Sequence, residues 1–350
     1  MTGERLDLSF QMRMVSMPHT MPPPNSAPQM APLLAWYRRN ARDLPWRRTS
    51  DPYAVLISEF MAQQTQISTV IGAYERWMKR FPTVQALASA DETEVLAMWQ
   101  GLGYYSRARN LHRAAKAVVE RHGGKIPADL DALMALPGIG AYTAGAVMAF
   151  AFDRPAAVVD TNVARVLTRL RAITEPIDST VGRRLVQEAA MDLQPQGGGA
   201  RELNSALMEL GALVCKPRRP DCPGCPIRGG CAAPNPELLP VKRERAATTS
   251  VVERRAFVVK SGSLYLAQSD KRWRGMWILP EVDLDGEPAH VETYPITRYR
   301  VRMEVVRAEP GGIAGLRAFP LDALEDVPIP SPHRRAIRAL AGADAKRHRE

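Results

Sequence analysis

The stretch LPGIGAYTAGAV, residues 136–147, decides the fold class of this chain. It lies between two segments of helical period. Gly138 and Gly140 permit a tight hairpin whose backbone N–H groups face outward where the next helix begins. Such a helix N-terminus binds phosphate through its free amides and its dipole. Leu-Pro-Gly-x-Gly between helices therefore reads as a helix–hairpin–helix, a grip on the DNA backbone that is blind to sequence. The plainer reading is an ordinary helix–turn–helix corner. Around this stretch, helical period runs from Ala31 to about Gly211. In DPYAVLISEFMAQQTQISTVIGAYERWMKRF (51–81), Leu56, Phe60, Ile67 and Ile71 follow the spacing of an amphipathic helix. DETEVLAMWQ, SRARNLHRAAKAVVERHGG and STVGRRLVQEAAMDL read as further helices, with Gly or Pro between them.

Two carboxylates stand out. Asp160, in VVDTNVARVL (158–167), follows a Phe-Asp-Arg-Pro turn and falls where a helix starts. Asp is a favoured N-cap, and a helix N-terminus also keeps a carboxylate ionised, ready to stabilise a positively charged sugar. Glu59 lies in an otherwise uncharged helical run, with Gln63 and Gln66 expected on its face. A solvated Glu is the ordinary reading. Burial would raise its pKa and make it an acid near neutral pH. Two carboxyl groups whose environments push their pKa values apart are what cleavage of a glycosidic bond needs. GLGYYSRARNLHRAAK (101–116) sets two tyrosines beside Arg107, Arg109, His112, Arg113 and Lys116. Rings among cations suit stacking or wedging into nucleic acid, or else form a core pair before a solvated helix.

The whole chain supports a polyanionic partner. Its 350 residues carry 47 Lys and Arg against 37 Asp and Glu, a formal net charge of +10. That balance favours nucleic acid or an anionic membrane surface. The longest apolar run, around AGAVMAFAF (144–152), is too short to span a bilayer, and no basic amphipathic helix with a bulky apolar face is evident. The first thirty residues lack an apolar signal-peptide core and read as a disordered extension or an over-long start, with Met17, Met21 and Met30 as alternatives. All four cysteines fall in CKPRRPDCPGCPIRGGC, as Cys215-x6-Cys222-x2-Cys225-x5-Cys231. Two disulfides, a structural zinc and a [4Fe–4S] cluster all remain open on spacing alone. Beyond a Pro-, Glu- and Lys/Arg-rich linker the period changes. RRAFVVKSGSLYLAQSD reads as two strands about a Ser-Gly-Ser turn, TYPITRYRVRMEVV as one strand, and SPHRRAIRALAGA as a closing helix.

Taken together, the chain resembles the endonuclease III superfamily of DNA glycosylases and, within it, the MutY-type adenine glycosylases. RDLPWR, SEFMAQQTQI, WQGLGYYSRARNLHRAA, LPGIGAYTAGA, VVDTNVARV and MELGALVC follow one another in family order between about Ala31 and Cys231. The likeness is weaker from there to the end. It implies a disordered extension (1–30), then a mainly α glycosylase region of two helical subdomains (31–235) with a [4Fe–4S] loop at 215–231. A linker (236–252) and a small α/β Nudix-like domain (253–345) would follow. The implied activity is monofunctional base excision: hydrolysis of the N-glycosidic bond of adenine mispaired with 8-oxoguanine or guanine in double-stranded DNA. The enzyme would be a cytoplasmic, nucleoid-associated monomer that touches no membrane. A thymine-type mismatch glycosylase or a bifunctional glycosylase/lyase is the alternative.

Residue by residue, the resemblance makes Glu59 the acid that protonates adenine at N7 and then activates water, and Asp160 the carboxylate beside the oxocarbenium ion. Tyr142 and Asn162 support that carboxylate and the sugar. Tyr142 stands where bifunctional relatives carry a nucleophilic Lys. Gln64 and Tyr104 enter the duplex, Gly138 and Gly140 grip its backbone, and Arg42, Trp46 and Glu209 line the adenine pocket. Cys215, Cys222, Cys225 and Cys231 hold the cluster, with KPRRP gripping phosphate. Ile296-Thr297-Arg298 aligns with the motif that reads 8-oxoguanine, and Thr297 keeps its hydroxyl. Thr161 replaces a usual Gly, which brings the chain nearer to thymine mismatch glycosylases, and Ala62 replaces a larger wedge residue. The C-terminal region lacks the Arg- and Glu-rich helix of pyrophosphate hydrolysis.

Overall fold

The computed structural model describes residues 30–347, apart from 245–246, 285, 297, 310–312 and 314. The expected extension 1–30 thus falls outside the described residues except at its last position. Met30 is not part of any extension: it is buried in a helical core beside Leu33.

Eleven α-helices are described before residue 214: α1 (Ala31–Asn40), α2 (Pro52–Ala62), α3 (Ile67–Arg80), α4 (Val84–Ser89), α5 (Glu92–Met98), α6 (Ser106–His122), α7 (Leu130–Met134), α8 (Ala141–Phe150), α9 (Thr161–Leu170), α10 (Thr180–Asp192) and α11 (Ala200–Leu213). They bury two separate cores. The first gathers α2 to α8 around Phe60, Trp77, Trp99 and Leu111. The second joins α1 from the start of the chain to α9, α10 and α11. The chain therefore leaves one lobe after α1, completes the other, and returns at α9. The cleft between the lobes is open to residues from both.

The long period read across 51–81 is two helices, not one. α2 buries nine consecutive residues, Tyr53 to Met61, so it is a core helix without a wet face. α3 is the amphipathic one, with Val70, Ala73, Tyr74 and Trp77 inward. Between them Gln63 to Gln66 leave the helix, although no Gly or Pro marks the break. Gln63 and Gln66 are accordingly not helical neighbours of Glu59.

The hairpin read from LPGIG is present between α7 and α8. Gly138 has φ +74°, a left-handed conformation, and a Cβ there would lie 2.4 Å from Asn110 Cβ. Gly140 is the N-cap of α8 at φ −94°, a value open to any residue. Within α11, Gly211 permits close helix packing: a Cβ there would come within 2.6 Å of Asn162 Cβ. That approach seats α11 under the first turn of α9.

The rest of the chain builds two small sheets: β1 (Thr249–Phe257), β2 (Val259–Lys260), β3 (Ser263–Gln268), β4 (Trp277–Ile278), β5 (His290–Ile296), β6 (Tyr299–Arg307) and β7 (Leu316–Pro320). One sheet has the order β1-β6-β5, with β1 parallel and β5 antiparallel to β6. The other runs β2-β3-β4, with β7 on β3. The closing helix expected from SPHRRAIRALAGA is α12 (Ser331–Arg347), and it packs on β5. β1 begins at Thr249, inside the stretch read as linker. TYPITRYRVRMEVV is a hairpin, not one strand: β5 ends at Ile296 and β6 starts at Tyr299. Thr297, which follows Ile296 in sequence, lies outside the described residues. The loop before β4 fastens the sheet region to the helices. Met276 is buried in the first helical core, the Arg109 guanidinium donates to the Arg274 carbonyl, and Gln100 donates to the Val327 carbonyl at 2.8 Å. Among the described residues, no helix is long and apolar enough to cross a membrane.

Candidate active site

A cleft of about 1050 Å³ opens between the two lobes. The end of α2 supplies Glu59, the start of α8 supplies Tyr142, and the start of α9 supplies Asp160 and Asn162. Their convergence follows from where helices begin and end. Asp160 is the N-cap of α9: one carboxylate oxygen accepts from the Val163 N–H at 2.7 Å, the other from the Asn162 amide at 2.9 Å. The capping geometry and the placement toward the cleft are one and the same arrangement.

Glu59 is 7% exposed and is the only ionisable carboxyl group in α2. Its pKa is raised to about 7 from an ordinary 4.5: burial is the main cause, a hydrogen bond from Tyr142 works against it, and the Asp160 charge adds to the rise. The Tyr142 hydroxyl is pushed well above its usual range, first by burial and then by the Glu59 and Asp160 charges, so it stays a neutral donor. The site thus holds a carboxyl group that carries its proton near neutrality, beside a second carboxylate that caps a helix. That pair can protonate a leaving group and stabilise positive charge on opposite sides of one bond.

Arg42, Trp46 and Ala62 also line the cleft, with Trp46 set edge-on against Tyr74 at 5.4 Å. Glu209 does not line it. Its side chain is fully buried behind the wall, where it accepts from Arg42 at 2.6 Å and from Arg47 at 2.6 Å. Burial pushes the Glu209 carboxyl up, but these two guanidinium groups outweigh it and hold it below its ordinary value. Glu209 orders the wall through Arg42 and Arg47. Arg47, which the sequence reading passed over, is its second partner. Gln64 and Tyr104 lie on separate loops, and Gln64, Gly138 and Gly140 all border the cleft. Tyr104 is 52% exposed, whereas Tyr105 is buried. The basic run after them does not all face outward: Arg107 and His112 are buried, so they are not the solvent-facing cations expected of that segment.

No disulfide joins the four cysteines among the described residues; Cys215, Cys222 and Cys225 are half-buried and Cys231 exposed. Burial and the charges of the other three thiols push Cys225 upward. Two arginines of α9, also missed in the sequence, tie this loop to the cleft. Arg165 donates to the Cys215 carbonyl at 2.7 Å, to the Gly211 carbonyl at 2.8 Å and to the Asn162 side-chain oxygen at 2.9 Å. Arg169 donates to Cys215 Sγ at 3.3 Å and to the Lys216 carbonyl at 2.8 Å.

Residues 57–190 match the HhH-GPD superfamily of base excision DNA repair proteins. The chain is 48% identical over 211 residues to the adenine DNA glycosylase of Rattus norvegicus, a match covering 57% of this chain and 40% of that protein. It is 42% identical over 219 residues to the adenine DNA glycosylase of Mycobacterium tuberculosis strain H37Rv, covering 60% of this chain and 71% of the relative. It therefore spans less than half of the rat relative's length. Among solved structures, a thermostable thymine-DNA glycosylase superposes with a TM-score of 0.52 at 30% identity, over 58% of this chain and 93% of that one. The hairpin and the helical N-cap at Asp160 lie within the matched residues 57–190, and the chain belongs to the adenine DNA glycosylase family within the HhH-GPD superfamily.

Proposed function

We propose that this protein is a monofunctional adenine DNA glycosylase of base excision repair, acting as a monomer on duplexes that carry adenine opposite 8-oxoguanine or guanine. The observation that carries the reading is the buried Glu59 carboxyl, raised to about 7 and hydrogen-bonded by Tyr142, in a cleft shared with Asp160. Adenine flipped from the stack enters that cleft. Glu59 gives its proton to N7, the bond between N9 and C1′ breaks, and its electron pair stays on the base. Asp160 stabilises the positive sugar that remains. Water then adds to C1′ and returns a proton to Glu59. Tyr142 offers no amine, so no Schiff base forms at that position. Arg42 and Trp46 line the pocket, and Gln64 and Tyr104 enter the duplex.

The test is single-turnover excision on duplexes with A opposite 8-oxoguanine, A:G, A:C and T:G. Adenine should be released from the first two, leaving an intact abasic strand. Faster release of thymine from T:G would move the chain to the thymine-type branch, which Thr161 and the thymine-DNA glycosylase likeness make the relevant rival. A strong borohydride-trapped adduct formed with substrate would make it a lyase, with the amine supplied from another residue of the site.

The four cysteines fit a [4Fe–4S] cluster. Thiols that raise one another's pKa need a cationic centre among them if all are to bind as thiolates. The Cys215-x6-Cys222-x2-Cys225-x5-Cys231 spacing is that of the superfamily's [4Fe–4S] loop, which favours a cubane over zinc. The cluster would brace the loop that presents KPRRP to phosphate. Cys222→Ser is expected to lower iron content and duplex affinity together, measured by metal analysis and fluorescence anisotropy. Purified protein carrying zinc without iron or sulfide would sink this assignment. The sheet region serves as a Nudix-like reader of 8-oxoguanine through Thr297.

A further inference from the structure

Among the residues that adopt positive φ without being glycine are Gln64, at 54°, and Tyr104, at 47°. Such a conformation is unfavourable for a bulky side chain and persists only where the surroundings over-determine it. The two residues lie on different loops, forty positions apart in sequence, yet one buried guanidinium fixes both. Arg107 sends one terminal nitrogen to the end of α2: Nη1 donates to the carbonyls of Phe60 at 2.7 Å, Met61 at 3.2 Å and Gln63. The other goes mainly to the second loop: Nη2 donates to the carbonyls of Leu102 at 2.9 Å and Gly103 at 3.2 Å, and to Thr65 Oγ1 at 3.1 Å. Gln63 and Thr65 flank Gln64, and Gly103 immediately precedes Tyr104. The guanidinium also lies over the Tyr104 ring at 5.6 Å and the Trp99 ring at 5.4 Å. Two further bonds close the bracket, from Thr65 Oγ1 to the Leu102 carbonyl at 3.3 Å and from Trp99 Nε1 to the Gly103 carbonyl at 3.0 Å.

We propose that Arg107 is a positioning residue that locks the Gln64 and Tyr104 loops into one rigid unit, so that both side chains are presented to the duplex together. The inference rests on the reading that these two residues enter DNA. Each carbonyl it holds sits where a helix or a tight turn runs out of partners, and among the described residues no carboxylate pairs with it. That is unusual for a buried arginine unless its planar fork is needed to span two segments. A rigid pair enters the stack without ordering two loops at the moment of binding, and preorganisation of this kind raises affinity for the distorted duplex alone.

Arg107→Lys separates this role from a purely structural one, because an ammonium keeps the charge but has one nitrogen and cannot serve both loops. In the native protein, Gln64→Ala and Tyr104→Ala should each weaken binding to an A:8-oxoguanine duplex by roughly tenfold, the usual worth of one stacked base. Arg107→Lys should weaken it by about tenfold or more, while affinity for an undamaged duplex of the same length changes by less than about twofold. In the Arg107→Lys background, adding either alanine should then change lesion affinity by less than about twofold. Equal losses on damaged and undamaged DNA, or full alanine effects in the lysine background, would overturn the proposal. If the two alanine variants bind like the native protein, the insertion reading itself fails, a distinct result. Should Arg107→Lys not melt as a folded protein, Thr65→Val serves instead: it keeps Arg107 but removes the Thr65 Oγ1 bonds that join the two loops. It should reduce both the Gln64→Ala and the Tyr104→Ala effects; full effects of both alanines in the valine background count against the lock.

Discussion

Glu59→Gln is expected to bind a lesion duplex within about twofold of the native protein while adenine release falls by roughly 10²–10⁴-fold, the range spanned by loss of a general acid. Glutamine fills the same space in α2 and still accepts from Tyr142, so the cleft keeps its shape. What disappears is a proton held at the right place near pH 7. The pH profile gives the same group a second readout. Single-turnover rates of the native enzyme should fall as pH rises through about 7, where Glu59 loses its proton, and the residual rate of the variant should lack that limb. The stability of the native protein moves in the same sense. The folded-state pKa of Glu59 lies above its ordinary 4.5, so its stabilising protonation is fully present below 4.5 and is lost as pH rises through about 7. Glu59→Gln should therefore gain stability over the native protein between those values, reaching on the order of 3 kcal/mol above pH 8. Chemical denaturation at pH 5 and pH 8.5 reads the difference. A variant that releases adenine at near-native rate, or that shows no pH-dependent gain, removes Glu59 from the role.

Asp160→Asn is expected to lower adenine release by about 10²–10³-fold with little change in melting temperature. Asparagine caps a helix as well as aspartate does, and its side-chain oxygen keeps the bond from Val163 N–H that starts α9. The fold therefore survives, and the missing quantity is negative charge beside the sugar. The variant has a second signature. The Asp160 charge helps to raise Glu59, so its removal should lower the alkaline limb of the residual rate below about 7. A tenfold or smaller loss of rate, with an unmoved pH profile, would show that Asp160 is a cap and nothing more.

Both carboxyl groups were legible before the fold because each carries a local signal. Asp160 follows a turn and precedes a helical run, and Glu59 is the one charge in an apolar helix. Other features had a signal that was read the wrong way. Arg107 falls with Leu111, Ala115 and Val118 on one helical face, the buried face of α6. The helical period placed it inside, but its company in a basic run beside two tyrosines made it look like part of a nucleic-acid contact. The single helix drawn through 51–81 and the single strand drawn through TYPITRYRVRMEVV failed for a shared reason. Each continues its own period across the break, and neither break contains Gly, Asn or Pro to announce it.

What the sequence determined by itself was everything whose cause lies within a few residues: the hairpin at Gly138, the cap at Asp160, the thiol spacing, and the switch from helical to strand period after the linker. What the tertiary structure alone decided was where α2 stops, which arginines turn inward, and that Glu209 stands behind the wall with Arg42 and Arg47. Those outcomes depend on partners far away in the chain. The end of α2 is set by a guanidinium forty-odd residues on, which takes the carbonyls of Phe60, Met61 and Gln63 that a further helical turn would have used. No local propensity encodes such a bond, because its energy exists only once burial has removed water from both partners.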